Sequence, residues 1–72
     1  MLEYERIGDN VLWVKSKSII NIAEINNWFY CYCFKIPELR LISNKTVAIM
    51  IINSKLAMRR FIKEYLNKPV FH

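Results

Sequence analysis

Trp28-Phe29-Tyr30-Cys31-Tyr32-Cys33-Phe34-Lys35-Ile36 is apolar or aromatic at every position but Lys35. Aromatic side chains suit a pleated surface, and Pro37 holds the residue before it extended while offering no N–H to a ladder. The stretch therefore predicts a β-strand over 28–36. Successive side chains of a strand point to opposite sides of the sheet. Trp28, Tyr30, Tyr32 and Phe34 would then form an aromatic row on one side, with Phe29, Cys31 and Cys33 on the other. Both sides of such a strand are adhesive, and a 72-residue chain has little left to cover them.

Just upstream, Asn26-Asn27 reads as a turn, and 18–25 holds isoleucine at 19, 20, 22 and 25. Ile20 and Ile22 alternate about Asn21, and this density of β-branched residues favours a strand. The same isoleucines also fit a helical stripe capped by Ser18, so a helix over 18–27 competes with it. Further out, Gly8-Asp9-Asn10 is a cluster of turn formers between 2–7 and 11–14, which reads as a tight hairpin. Glu3 and Glu5 alternate with Leu2, Tyr4 and Arg6, a pattern that suits an edge strand whose glutamates discourage further pairing.

Downstream of Pro37, 39–42 predicts a short strand, Ser43-Asn44-Lys45 a turn, and 46–52 a strand apolar on both faces. A helix then starts at Asn53-Ser54, either of which can accept from the free amides of a first turn. Met58, Phe61, Ile62 and Tyr65 form its apolar stripe, flanked by Ala57 and Leu66, and Pro69 ends it. The expected fold is α+β: a single domain over 1–72, with a small antiparallel β-meander of about five strands and one C-terminal amphipathic helix packed on one face.

A chain this short buries only about 60% of the surface that its unfolded form exposes. With 54% hydrophobic residues, part of the apolar surface falls outside the core. An interface is the expected place for it, and a homodimer joined through an apolar sheet face is the simplest interface. The aromatic row Trp28, Tyr30, Tyr32, Phe34 is the candidate contact. The same row could instead fill the core, or stack nucleic-acid bases.

Eleven basic against six acidic residues give a formal net charge of +5, which favours an anionic partner such as DNA or RNA. Lys55, Arg59, Arg60, Lys63 and Lys68 on the helix are the candidate phosphate contacts. The plainer reading is a solvated helix face with an Arg60–Glu64 pair.

Cys31 and Cys33 on a strand would share a face, too parallel to bridge, so two buried reduced thiols in a cytoplasmic protein are expected. Zinc takes four ligands, commonly with a C-x₂₋₄-C pair, which Cys31-x-Cys33 and the single His72 do not supply. Catalysis needs a nucleophile beside a base, or paired carboxylates. Glu3, Glu5, Asp9, Glu24, Glu38 and Glu64 show no such pairing, and the single glycine, Gly8, leaves no glycine-rich phosphate loop. No apolar run approaches the length of a membrane-spanning helix, and the first residues lack the basic-then-apolar order of a signal peptide. The expectation is a regulatory or accessory protein, not an enzyme. It would have no cofactor, metal or membrane contact, and would act on an unidentified protein partner, with nucleic acid as the alternative.

Overall fold

The computed structural model describes residues 2–67. Strands β1 (Leu2–Arg6) and β2 (Val11–Ser16) form a hairpin, followed by helix α1 (Ile22–Cys33). A second hairpin, β3 (Glu38–Ile42) and β4 (Val47–Ile51), leads into α2 (Lys55–Phe61) and a π-helical segment, Ile62–Leu66. The fold is α+β, with a four-stranded antiparallel sheet in the order β1-β2-β4-β3. It is not a five-strand meander. The second hairpin enters by β4, which pairs with β2, so β1 and β3 are the edges.

The 28–36 strand is corrected to helix, and so is the strand over 18–25. α1 runs through Asn26-Asn27 without a turn. Asn21, not Ser18, caps it: its Oδ1 accepts from the Glu24 amide at 3.0 Å. From there Ile22, Ile25, Phe29 and Cys33 recur at three- and four-residue steps, the period of a helix face. The helix ends at Phe34, whose φ of 58° is left-handed, before Pro37 can act on it. Packing of that face outweighs the β preference of the aromatics.

The other expected elements stand within a residue or two of where the sequence places them, except that the C-terminal helix turns π-helical over Ile62–Leu66 and its expected stop at Pro69 lies outside the described residues. Ile7 donates to the Val11 carbonyl at 3.0 Å across the first hairpin. In the second, Ser43, Asn44 and Lys45 all take positive φ, with the Thr46 hydroxyl donating to the Ser43 carbonyl at 2.6 Å. Ser54 caps α2 by accepting from the Ala57 amide at 3.2 Å.

The core lies between one sheet face and the two helices. Leu12, Val14, Ala48 and Met50 alternate inward from the central strands and meet Ile25 and Phe29 of α1 and Met58 and Phe61 of α2. Leu2, Leu39 and Leu41 extend this layer to both edge strands. Both helices thus serve the same face, and among the described residues no layer covers the other face of the sheet.

Candidate docking surfaces

Alternation fixes what the uncovered face carries. On it lie Glu3 and Glu5 of β1, Val11, Trp13 and Lys15 of β2, Val47, Ile49 and Ile51 of β4, and Glu38, Arg40 and Ile42 of β3. Strand register sorts these into rows. The middle row reads Glu5, Trp13, Ile49, Arg40 from edge to edge. Its neighbours read Glu3, Lys15, Val47, Ile42, and then Val11, Ile51, Glu38. The centre is apolar and the charges stand mainly at the edges. Glu38, Arg40, Ile49 and Ile51, together with Leu39, line a shallow hollow beside Trp13. With three carboxylates against two cations, this face does not share the positive excess of the chain.

An exposed apolar sheet face is expected from the sequence, but not the residues that compose it. Trp13, its largest side chain, reads from sequence as one residue of a hairpin strand, because the Ile49 beside it comes from β4, far along the chain.

The expected aromatic row does not exist as a row. On a helix, positions two apart diverge, so Trp28 and Tyr32 stay together on one side while Tyr30 and Phe34 turn away from them. Trp28 lies between the helices, 5.3 Å from Phe61 and 5.2 Å from Tyr32, ring centre to ring centre. Tyr30 projects into solvent, and Phe34 is 87% exposed. Tyr32, Phe34, Cys33, Ala57 and Leu56 edge a second, smaller apolar hollow, where α1 ends and α2 begins.

Four of the five candidate cations fall within the described residues, and Lys68 lies outside them. Lys55, Arg59 and Lys63 are exposed at four-residue steps, one stripe along α2 and its continuation. Arg60 is engaged elsewhere. Its Nε donates to Glu64 Oε2 at 2.9 Å, and its Nη1 donates to the Tyr32 carbonyl at 2.9 Å. That carbonyl belongs to the last turn of α1, where helix carbonyls lack internal partners and the helix dipole favours a cation.

Cys31 and Cys33 are unbridged and, contrary to the expected pair of buried thiols, Cys31 is exposed and Cys33 half-buried. Two residues apart on a helix, they face different directions. Burial pushes the Cys33 thiol up, partly offset by the Arg60 charge, with Glu64 adding to the rise. Tyr65 is pushed up to about 12 by burial first, then by its hydrogen bond to Glu24 and the charge of that carboxylate. Among the described residues no three histidine, cysteine or acidic side chains gather as a metal site would require. His72 lies outside them. No helix among them is long and apolar enough to cross a membrane.

No family model, curated protein or solved structure matches the chain. Its surfaces are therefore the basis for a functional reading.

Proposed function

We propose that this chain is a small non-enzymatic accessory or regulatory module that acts by binding another macromolecule, and that it does so as a homodimer joined through the uncovered face of its sheet. One observation carries the reading: both helices pack on the same side, leaving Val11, Trp13, Ile49 and Ile51 together on the other. Contiguous apolar surface of this kind, with a charged margin, is characteristic of interaction sites.

A second reading, contact with DNA or RNA, is favoured by the exposed Lys55, Arg59 and Lys63 stripe. It ranks lower because the apolar face carries more acids than bases, so the two features do not form one anion-binding surface.

Light scattering at tens of micromolar should give a mass near twice 8.7 kDa. Trp13→Glu places a charge at the centre of the face and should give a monomer with an unchanged far-ultraviolet spectrum. A wild-type chain that stays monomeric and takes up no hydrophobic dye overturns the reading.

A further inference from the structure

The middle row of the uncovered face has a charge order that makes it complementary to itself. It runs Glu5, Trp13, Ile49, Arg40, from the β1 edge to the β3 edge. A homodimer contact is isologous, so the same surface must meet itself through a two-fold axis. Two sheets can face each other about an in-plane axis that runs along the strands or across them. An axis across the strands through this row lays β1 on β1 and β3 on β3, so that Glu5 faces Glu5 and Arg40 faces Arg40. Like charges brought together in a contact are strongly unfavourable. An axis along the strands, passing between β2 and β4, lays β1 of one copy on β3 of the other and keeps every row at its own height.

We propose that two copies pack face to face about a two-fold axis parallel to the strands, with Glu5 of each paired to Arg40 of the other and Trp13 of each seated over Ile49 in the hollow edged by Glu38, Arg40 and Ile51. The proposal rests on the sheet-face reading above and specifies how that face recognises its partner. Three features of the surface converge on it.

The first is the hollow. The axis between β2 and β4 carries Trp13 of one copy onto β4 of the other at the height of Ile49, where the face is concave. Its charged walls suit an indole, with the Glu38 carboxylate as an acceptor for the ring N–H and the Arg40 guanidinium as a cation for the ring.

The second is reach. Facing sheets stand about 10 Å apart, which the extended side chains of one glutamate and one arginine together span. Aligned sheets also cross at about 30°, which offsets edge residues by roughly one position. The length of Arg40 accommodates that offset.

The third is availability. Among the described residues the only salt bridge is Arg60–Glu64, so neither Glu5 nor Arg40 is already paired there. Four strands about 4.8 Å apart and five residues of about 3.4 Å each make a face toward the small end of specific interfaces. The dimer is therefore a reversible one.

Charge reversal tests the arrangement. Glu5→Arg and Arg40→Glu each create two like-charge contacts per dimer, and each should weaken self-association at least tenfold in sedimentation equilibrium. Mixed one to one, the two variants should form a heterodimer. The arginine introduced in one then meets the glutamate introduced in the other, and the native Arg40 of the first meets the native Glu5 of the second. The double variant Glu5→Arg with Arg40→Glu should regain homodimerisation. Recovery in the mixture also shows that both single variants are folded. If the single reversals dimerise like the wild type while Trp13→Glu does not, the axis and pairing proposed here are wrong and the sheet-face reading stands. If the wild type and all variants are monomers, both fall.

Discussion

Arg60 ties the two helices together at Tyr32: its Nη1 donates to the Tyr32 carbonyl at 2.9 Å, and its guanidinium carbon lies 5.3 Å from the centre of the Tyr32 ring. The contact closes the open end of α1 with a cation from the neighbouring helix. Arg60 is partly exposed, so the hydrogen bond to a charged donor is discounted to about 1 kcal/mol. Arg60→Ala should lower urea-unfolding stability by about that amount. Arg60→Lys keeps the charge but not the planar fork, and should recover less than half of the loss. A loss for Arg60→Ala no larger than for Arg59→Ala would mean that the tie carries no stability.

Tyr65 should make the fold sensitive to alkali. Its hydroxyl donates to Glu24 Oε1 at 3.0 Å, and its pKa stands at about 12. A free tyrosine titrates near 10. Between these values the folded state holds a proton that the unfolded state has lost. The contribution is complete below about pH 10 and fades as pH rises toward 12. Tyr65→Phe keeps the stack on Phe61, whose ring centre is 4.9 Å away, and should flatten the fall in stability over that window. An unchanged slope would show that Tyr65 ionises in the folded state as it does when unfolded.

Asn21 and Ser18 provide a direct comparison of the observed helix start with that of the helix which competes with a strand in the sequence. Asn21→Ala removes the acceptor for the Glu24 amide and should cost about 1 kcal/mol, within the usual range for a lost cap. Ser18→Ala should leave stability within about 0.5 kcal/mol, as surface changes generally do. Chemical denaturation of the two variants side by side decides it.

The two helices differ in how plainly the sequence declares them. The C-terminal helix is legible because Met58, Phe61, Ile62 and Tyr65 alternate with Arg59, Arg60 and Lys63, which leaves a single period to read. α1 is hidden because its outward side is nearly as apolar as its inward one. Tyr30, Cys31 and Phe34 fill the positions where charges would have revealed the stripe of Ile25, Phe29 and Cys33. The signal is present, but only over 22–33 as one segment behind an Asn21-x-x-Glu24 start. Dividing the stretch at Asn26-Asn27 erases it. An uncovered sheet face is foreseeable from the apolar strands and the short chain. Its composition is not, since the row Glu5, Trp13, Ile49, Arg40 depends on β4 lying beside β2, a long-range pairing with no local signature.

Cys31 and Cys33 should be distinguishable by alkylation. Cys31 is exposed, whereas Cys33 is half-buried and its thiol is pushed up chiefly by that burial. Thiolate is the reactive form, so iodoacetamide at mildly alkaline pH should label Cys31 several-fold faster in the native protein. Peptide mass spectrometry at short times reads the ratio, which should approach one in urea. Equal native rates would place Cys33 in a more open setting than the helix packing gives it.

The exposed cations of α2 set a ceiling on any binding of nucleic acid. Lys55, Arg59 and Lys63 form the available stripe, while Arg60 is committed to Glu64 and Tyr32. Counterion release from single strands gives a log–log salt slope of about 0.7 per neutralised phosphate, so three contacts predict a slope of about −2. Affinity for a single-stranded oligonucleotide should therefore be measurable at low salt and weak at physiological ionic strength. Alanine at Lys55, Arg59 and Lys63 together should remove the slope, whereas Arg60→Gln should leave it almost unchanged. Trp13→Glu should not alter it either, because the uncovered sheet face lies on the other side of the molecule from the helices. A slope steeper than about −4, or one that collapses with Trp13→Glu, would mean that phosphates reach the sheet face, and would put nucleic acid ahead of a second copy of the chain as its occupant.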